Sequence, residues 1–573
     1  MVQLLFCEDI VFMIMDIMKA STAKHLFLRD LRSLSLTSRY FRTICLPVLF
    51  RTVKKSWRVG MNTHKTILPK TLCHHVTTFE LNVSAAGELG PPTELSDKLA
   101  EVLPYMFSLH TFRLVNSPWY GPWPALLQAI FSAPYLTTLE IIDSPWRRSS
   151  EIFTDEALEL FKSVSVTSSS SALNLRRFVY RVPFTDCFPR TSSSHGRRDE
   201  VQGRVEILNL LALISQFNTV LEVLELPAEI APFLLCNEGL AYPNLRRLRI
   251  EGHVPLLLPR WRAIFSSAPQ LRGVEFRVAK TRVEARYRLR PGSGCGEEGY
   301  CLLPPPSSTK TATNRSEHDH DGDMLALERS TLSRLKSLHL SSPCVQDGIF
   351  HHLSTSFSDN LTELCLVAYP LPGILGARWS DAPASELRTA KEMLDVLKVI
   401  ALPGLVRFKM AYIVKAGDRE GDVDADQQLV KRIGESFPGL EELEMHRYRD
   451  PSLGPASEMD PLPMIKEGLA PLINLSHLRL NLDYPHRPRY TRSRQSQSQN
   501  QNNVKAYRAF HEALEHGDAR SIAEASSSLQ SVGILFHEDF STYWDMWGVE
   551  RYLDAEGKRK VRLIGCPRAA VEV

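Results

Sequence analysis

The feature that most constrains this chain is a short frame that recurs along it. Five stretches share the pattern Pro-x-Leu-x-x-Φ-x-Φ, where Φ is a large apolar residue: "APYLTTLEI" ending at Ile141, "YPNLRRLRI" at Ile250, "APQLRGVEF" at Phe276, "LPGLVRFKM" at Met410 and "FPGLEELEM" at Met445. Eight more keep the frame without the proline, beginning at Val76, Leu109, Leu175, Leu221, Leu335, Leu361, Leu475 and Leu529. The last two Φ positions are two apart, so they share one side of a β-strand, while the residue between them, usually charged, faces the other side. The frame predicts a strand with one buried and one wet face, entered through a leucine at the preceding turn.

Segments of helical periodicity lie between the frames. Examples follow Glu94, Thr154, Val205, Glu386 and Gln427. Several end at a proline, which cannot continue a helical hydrogen-bond ladder. Leu109 and Leu136 are 27 residues apart, Leu221 and Leu245 24, Leu245 and Leu271 26, and Leu335 and Leu361 26. The expected fold class is α/β: a solenoid with a curved parallel sheet on its concave side and helices outside. In unit and spacing it resembles a degenerate leucine-rich repeat, whose period is roughly 20–29 residues.

With 573 residues the chain is too long for one ordinary core, and 43% apolar against 23% charged residues is a core-forming composition. Its 68 basic and 65 acidic residues nearly balance, so the total charge by itself gives no argument for nucleic acid, which is not expected as a partner. No apolar run is long enough to span a membrane, and Glu8 and Asp9 interrupt the apolar start. The ten cysteines form no C-x-x-C pair. They read as reduced thiols of an intracellular protein, cytoplasmic or nuclear, without a structural metal. Three stretches fall outside the array: a Ser-rich loop near Ser168, a segment rich in Pro, Gly and Ser, and an Arg-, Ser- and Gln-rich linker after Tyr484. The expected organisation is 1–53 a helical domain, 54–285 the first part of the solenoid, 286–328 a disordered insertion and 329–484 the second part. A disordered linker at 485–504 and a final repeat with a C-terminal cap at 505–573 complete it. The cap is aromatic, with a hairpin expected around Glu556-Gly557.

Motifs that look chemical lack their context. "GSGCGEEG" (Gly292–Gly299) neither follows an apolar strand nor precedes a helix, as a dinucleotide loop must. "HDHD" (His318–Asp321) has no partner cluster for a metal, and Cys73–His75 leads into a strand. There is no nucleophile elbow, P-loop or H-E-x-x-H. The chain is expected to be non-catalytic and to need no cofactor.

Residues 5–53 stand apart from the repeat. Asp9 is a good helix-start residue, after which Ile10, Met13, Ile14, Ile17 and Met18 make one apolar face. Asp30 is a second plausible N-cap, followed by Leu31 and Leu34. A third helix is expected from Ser38 to Phe50, with Phe41, Ile44, Cys45 and Leu49 on one side and a kink or restart at Pro47. So small a unit must bury its apolar face against something else. A cap on the solenoid is one solution.

The segment also resembles the F-box motif, especially that of fungal proteins with leucine-rich-like repeats. Glu8, Asp9 and Ile10 match its opening, with Phe6-Cys7 where the family has Leu-Pro. Leu31, Leu34, Leu36, Thr37, Ser38, Arg39, Phe41 and Arg42 match its second block. The resemblance implies a substrate receptor of a cullin–RING ubiquitin ligase, with no chemistry of its own. A Skp-type adaptor would bind through Phe6, Ile10, Ile14, Leu31, Leu34, Leu36, Phe41, Ile44 and Leu49, and the solenoid would hold a protein substrate. Candidate substrate contacts are charged strand residues of the wet face: Arg247, Arg249, Lys409, Glu442, Glu444 and Arg479. A non-ligase scaffold whose N-terminal helices only cap the solenoid is the alternative.

Overall fold

Each of the thirteen frames becomes a strand in the computed structural model of the protein. The structure describes residues 24–58, 66–84, 93–117, 121–144, 174–182, 196–235, 239–253, 262–279, 330–341, 347–356, 360–369, 387–415, 419–450, 460–482, 512–538 and 541–567, with isolated positions such as Met15 and Phe153. The helix expected after Thr154, the Ser-rich loop, the 286–328 insertion, the 485–504 linker and Phe6, Ile10 and Ile14 lie outside the described residues. The chain divides into two units, Met1–Leu226 and Pro227–Val573.

In the first unit α1 (Lys24–Thr37) and α2 (Arg39–Leu49) precede β1 (Thr52–Arg58), followed by α3 (Lys70–Cys73) and β2 (Thr78–Ser84). Next come α4 (Thr93–Val102), β3 (Thr111–Val115), α5 (Pro124–Phe131), β4 (Thr138–Ile142), β5 (Arg177–Arg181), α6 (Gly196–Ile214) and β6 (Val223–Pro227). β1 to β6 pair in chain order, all parallel, as strands joined by crossovers must. Register follows the frame: Phe79, Phe112, Leu139, Phe178 and Leu224 form one buried row, and Leu81, Leu114, Ile141 and Tyr180 the next. These rows face the helix side, where Phe178 packs on Phe217 just after α6 and the Tyr180 hydroxyl donates to Glu206 of α6.

Two expectations about these helices do not hold. α1 already begins at Lys24 and runs through Asp30, so Asp30 does not cap a helix. Nor does Pro47 restart α2, which continues to Leu49 after an N-cap at Ser38, whose hydroxyl accepts from Phe41 N–H. In addition, Thr52 and Val53 already belong to β1, a strand that carries no frame.

The second unit repeats the scheme. Its helices are α7 (Ala231–Leu235), α8 (Arg262–Ser267), α9 (Gly348–Ser356), α10 (Ala390–Val399), α11 (Arg419–Ser436), α12 (Pro461–Leu469) and α13 (Arg520–Ala525). Its parallel strands are β7 (Arg247–His253), β8 (Gly273–Ala279), β9 (Ser337–Leu340), β10 (Glu363–Leu366), β12 (Arg407–Val414), β13 (Glu442–Arg449), β14 (His477–Asn481) and β15 (Ser531–Glu538), paired in that order. The two-residue β11 (Arg388–Thr389) lies beside the C-terminal half of β12. Thr389 also opens α10 with a reciprocal capping box to Glu392. α11 and α12 approach closely: a Cβ at Gly434 would sit 2.7 Å from the Gly468 carbonyl oxygen, so a larger residue there would force the helices apart.

The array then reverses direction. β16 (Ser541–Leu553) runs antiparallel to β15, and β17 (Arg559–Gly565) antiparallel to β16, around a turn in which Gly557 has φ +74. The expected aromatic hairpin is therefore present, with Trp544 and Trp547 buried. The short β18 (Ala569–Ala570) adds to β16.

Candidate functional site

The N-terminal helices hold a small core of their own, formed by Met15, Phe27, Leu31, Ile44 and Cys45, with Leu28, Leu34, Phe41, Val48 and Leu49 packed against it. Among the expected adaptor residues, Leu31 and Ile44 lie inside this core. Leu34, Phe41 and Leu49 are half-buried at its rim, and Leu36 points outward, 75% exposed.

The residues between the frame's Φ positions form the face opposite the helices. In the first unit one row reads Lys54, Glu80, Arg113, Glu140, Val179, Glu225. Lys54 Nζ stands 2.7 Å from Glu80, Arg113 Nε 2.7 Å from Glu140, and Arg177 and Arg181 both pair with Glu225. This face is not simply wet, because Glu140 and Glu225 are buried. Each carboxylate survives burial through cations on neighbouring strands.

The same face of the second unit carries a groove of about 530 Å³. One row runs Arg247, Gly273, Ser337, Glu363, Arg407, Glu442, His477, and the next Arg249, Glu275, His339, Cys365, Lys409, Glu444, Arg479. Four expected substrate contacts, Lys409, Glu442, Glu444 and Arg479, line the groove. Arg247 and Arg249 stand on β7, outside its lining. Arg249 instead pairs with Glu251, and Glu251 accepts the Tyr369 hydroxyl at 2.6 Å. Sequence reading did not single out His339, Glu363, Arg407 and His477, although each occupies the same kind of slot in its own frame.

Two carboxylates organise the groove. Glu363 accepts from His339 Nε2 at 3.1 Å and Arg407 Nη2 at 3.0 Å; these bonds hold its carboxyl down at about 2. Burial opposes ionisation of Glu444, but hydrogen bonds from His446 and Lys409 outweigh it and also hold that carboxyl at about 2. Arg479 Nη1 reaches the second Glu444 oxygen at 3.2 Å. Burial lowers the His446 pKa against the pull of Glu444 and pushes the Cys365 thiol up to about 12, too high for a nucleophile at neutral pH. Beyond this row the face closes over: His446, Asn481, Leu535 and Trp544 are buried, with Trp544 edge-on to His446 at 5.4 Å.

The depressed carboxyls give stability a defined pH dependence. An ordinary Glu titrates near 4.5, and these two near 2 when folded. Their contribution is complete above the unfolded value and is lost as pH falls from there through about 2. Glu444→Gln should flatten the acid limb of the denaturant midpoint against pH. Parallel limbs in the two proteins would refute the assignment.

Among the described residues no helix is long and apolar enough to cross a membrane, and no group of His, Cys, Asp or Glu is placed to hold a metal ion. Cys45, Cys73, Cys365 and Cys566 are free thiols. No protein family's sequence model and no curated protein matches the chain. Solved structures that are similar in part include LegL7 and TLR13. The leucine-rich repeat-containing protein LegL7 from Legionella pneumophila is 12% identical over 74% of this chain and 97% of its own, with a TM-score of 0.29. The TLR13–ssRNA13 complex is 12% identical over 77% of this chain and 64% of that one, with a TM-score of 0.27. At these scores the likeness carries no weight. The α/β repeat architecture rests on the register of the chain's own parallel strands.

Proposed function

We propose that the chain is a non-catalytic receptor: its N-terminal helices bind a Skp-type adaptor as an F-box does, and its array holds a protein substrate for a cullin–RING ubiquitin ligase. The observation that carries this reading is the helix pair's separate core, with Leu36 exposed beside it. A helix that merely capped the array would spend its apolar surface on the first repeat. Here the buried residues of α1 and α2 pack on each other, and Met13, Leu36 and Tyr40 all remain exposed for a partner. The receptor's contribution would be proximity, raising the effective concentration of a substrate lysine near a charged conjugating enzyme. Its place of action would be the cytoplasm, the nucleus or both.

A cap with no adaptor is favoured by one fact: α2 ends at Leu49 and β1 starts at Thr52, at the first strand of the sheet. Leu36→Asp separates the two readings. Placing a charge in an apolar contact costs at least ~2 kcal/mol, about thirtyfold in affinity. Purified Skp-type adaptor should be captured by the wild-type chain and lost by the variant, with both melting alike. An adaptor that never binds, or a variant that binds normally or melts early, defeats the receptor reading.

A further inference from the structure

The groove of the second unit sorts its charges by depth. Between β10 and β14 the paired carboxylates sit low, with the Glu363 and Glu444 side chains 29% and 12% exposed. The guanidiniums above them, Arg407 and Arg479, are 46% and 43% exposed. Each arginine spends one of its five N–H donors on its carboxylate. The acids are therefore committed within the protein, while the cations keep donors directed at solvent. Glu442, exposed between Arg407 and His477, is the exception. The floor between these walls is small and apolar: Cys365, Val367 and Ala368.

We infer that this groove binds an extended acidic segment of a protein partner, seating one apolar side chain on the small-residue floor while its carboxylates meet Arg407 and Arg479. The inference rests on reading the array as the partner-binding part of the chain, and it names the class of segment taken. Parallel rows of charge on successive strands suit a chain laid across the strands. A nucleic acid fits less well. Glu442 would face its phosphates, and the lining phenylalanines, Phe276 and Phe408, are buried in the frame rows and unavailable for stacking.

The test uses the purified full chain without adaptor. The probe is a short fluorescein-labelled peptide of Glu and Asp around one central Leu, read by anisotropy. Controls are the same peptide with Lys for the acids, one with Gly for Leu, and a single-stranded RNA of equal charge. The acidic Leu peptide should bind best and weaken with added salt. Arg407→Glu and Arg479→Glu should each lose about tenfold, with folding checked by thermal melting. Glu442→Lys should gain about threefold, a result that misfolding cannot imitate. Leu36→Asp should bind the peptide like wild type, so this proposal and the adaptor reading fail separately. Equal binding of the Lys peptide, tighter binding of the RNA, or charge variants indistinguishable from wild type would overturn the inference.

Discussion

Asp426→Ala should destabilise the second unit by about 3–5 kcal/mol, the cost of stripping a buried charge of its partner. Asp426 lies on α11, which packs behind β12 and β13. One carboxylate oxygen accepts the Tyr412 hydroxyl at 2.7 Å and the other accepts Arg447 Nε at 2.9 Å. All three side chains are buried. Tyr412 and Arg447 belong to neighbouring strands but share the helix-facing side, so one carboxylate ties a helix to two repeats. Removing it leaves the Arg447 guanidinium in the interior without that counter-charge and the Tyr412 hydroxyl without that acceptor. Both costs fall on the folded state. The measurement is urea unfolding followed by far-UV circular dichroism. Because repeats contact mainly their neighbours, the loss should also appear as faster amide exchange in β12 and β13 before β7 and β8. A loss under about 1 kcal/mol, the level of an ordinary surface pair, would mean the triad is not the fastener described.

Phe112→Ala should cost about 3–5 kcal/mol in the first unit. Phe112 is fully buried at the second position of the row Phe79, Phe112, Leu139, Phe178, Leu224, and its ring stacks on Phe79 with centroids 5.6 Å apart. Strands on both sides hold it by continuous parallel ladders. The backbone therefore cannot close the void that alanine would leave. Phe112→Leu, which keeps most of the volume, should cost under about 1.5 kcal/mol. Similar melting of the two variants would show that the row relaxes more freely than a packed ladder allows.

What could be read in the sequence follows from how each element is stabilised. The thirteen frames were legible because every such strand must present two apolar residues to the helices, and that demand is local. β1 was not, because "TVKKSWR" buries only Trp57 on the edge of the sheet, leaving Lys54 and Lys55 to mask the alternation. Asp30 misled because a capping residue and a mid-helix aspartate look alike when the helix start lies upstream. In the groove, Lys409, Glu444 and Arg479 were legible as outward positions, but their mutual pairing was not. Glu363 finds His339 24 residues before it and Arg407 44 residues after it. Such distances are set by the lengths of intervening loops, which the frame does not encode. The closed end of the open face, with His446 and Trp544 buried, was missed for the same reason: its cover comes from the returning hairpin.

That hairpin also decides how long an array like this can become. A parallel ladder is a template, since each strand offers its neighbour the same register that it received. Duplicating one helix–strand unit in the gene would lengthen the sheet and leave existing contacts unchanged. β16 breaks the copying rule by running backwards. Beyond it, β17 presents Arg559, Lys560 and Arg562, charges that discourage another strand from joining. Growth by duplication is thus confined to the units before β15, and the hairpin acts as a full stop that new repeats must be inserted ahead of.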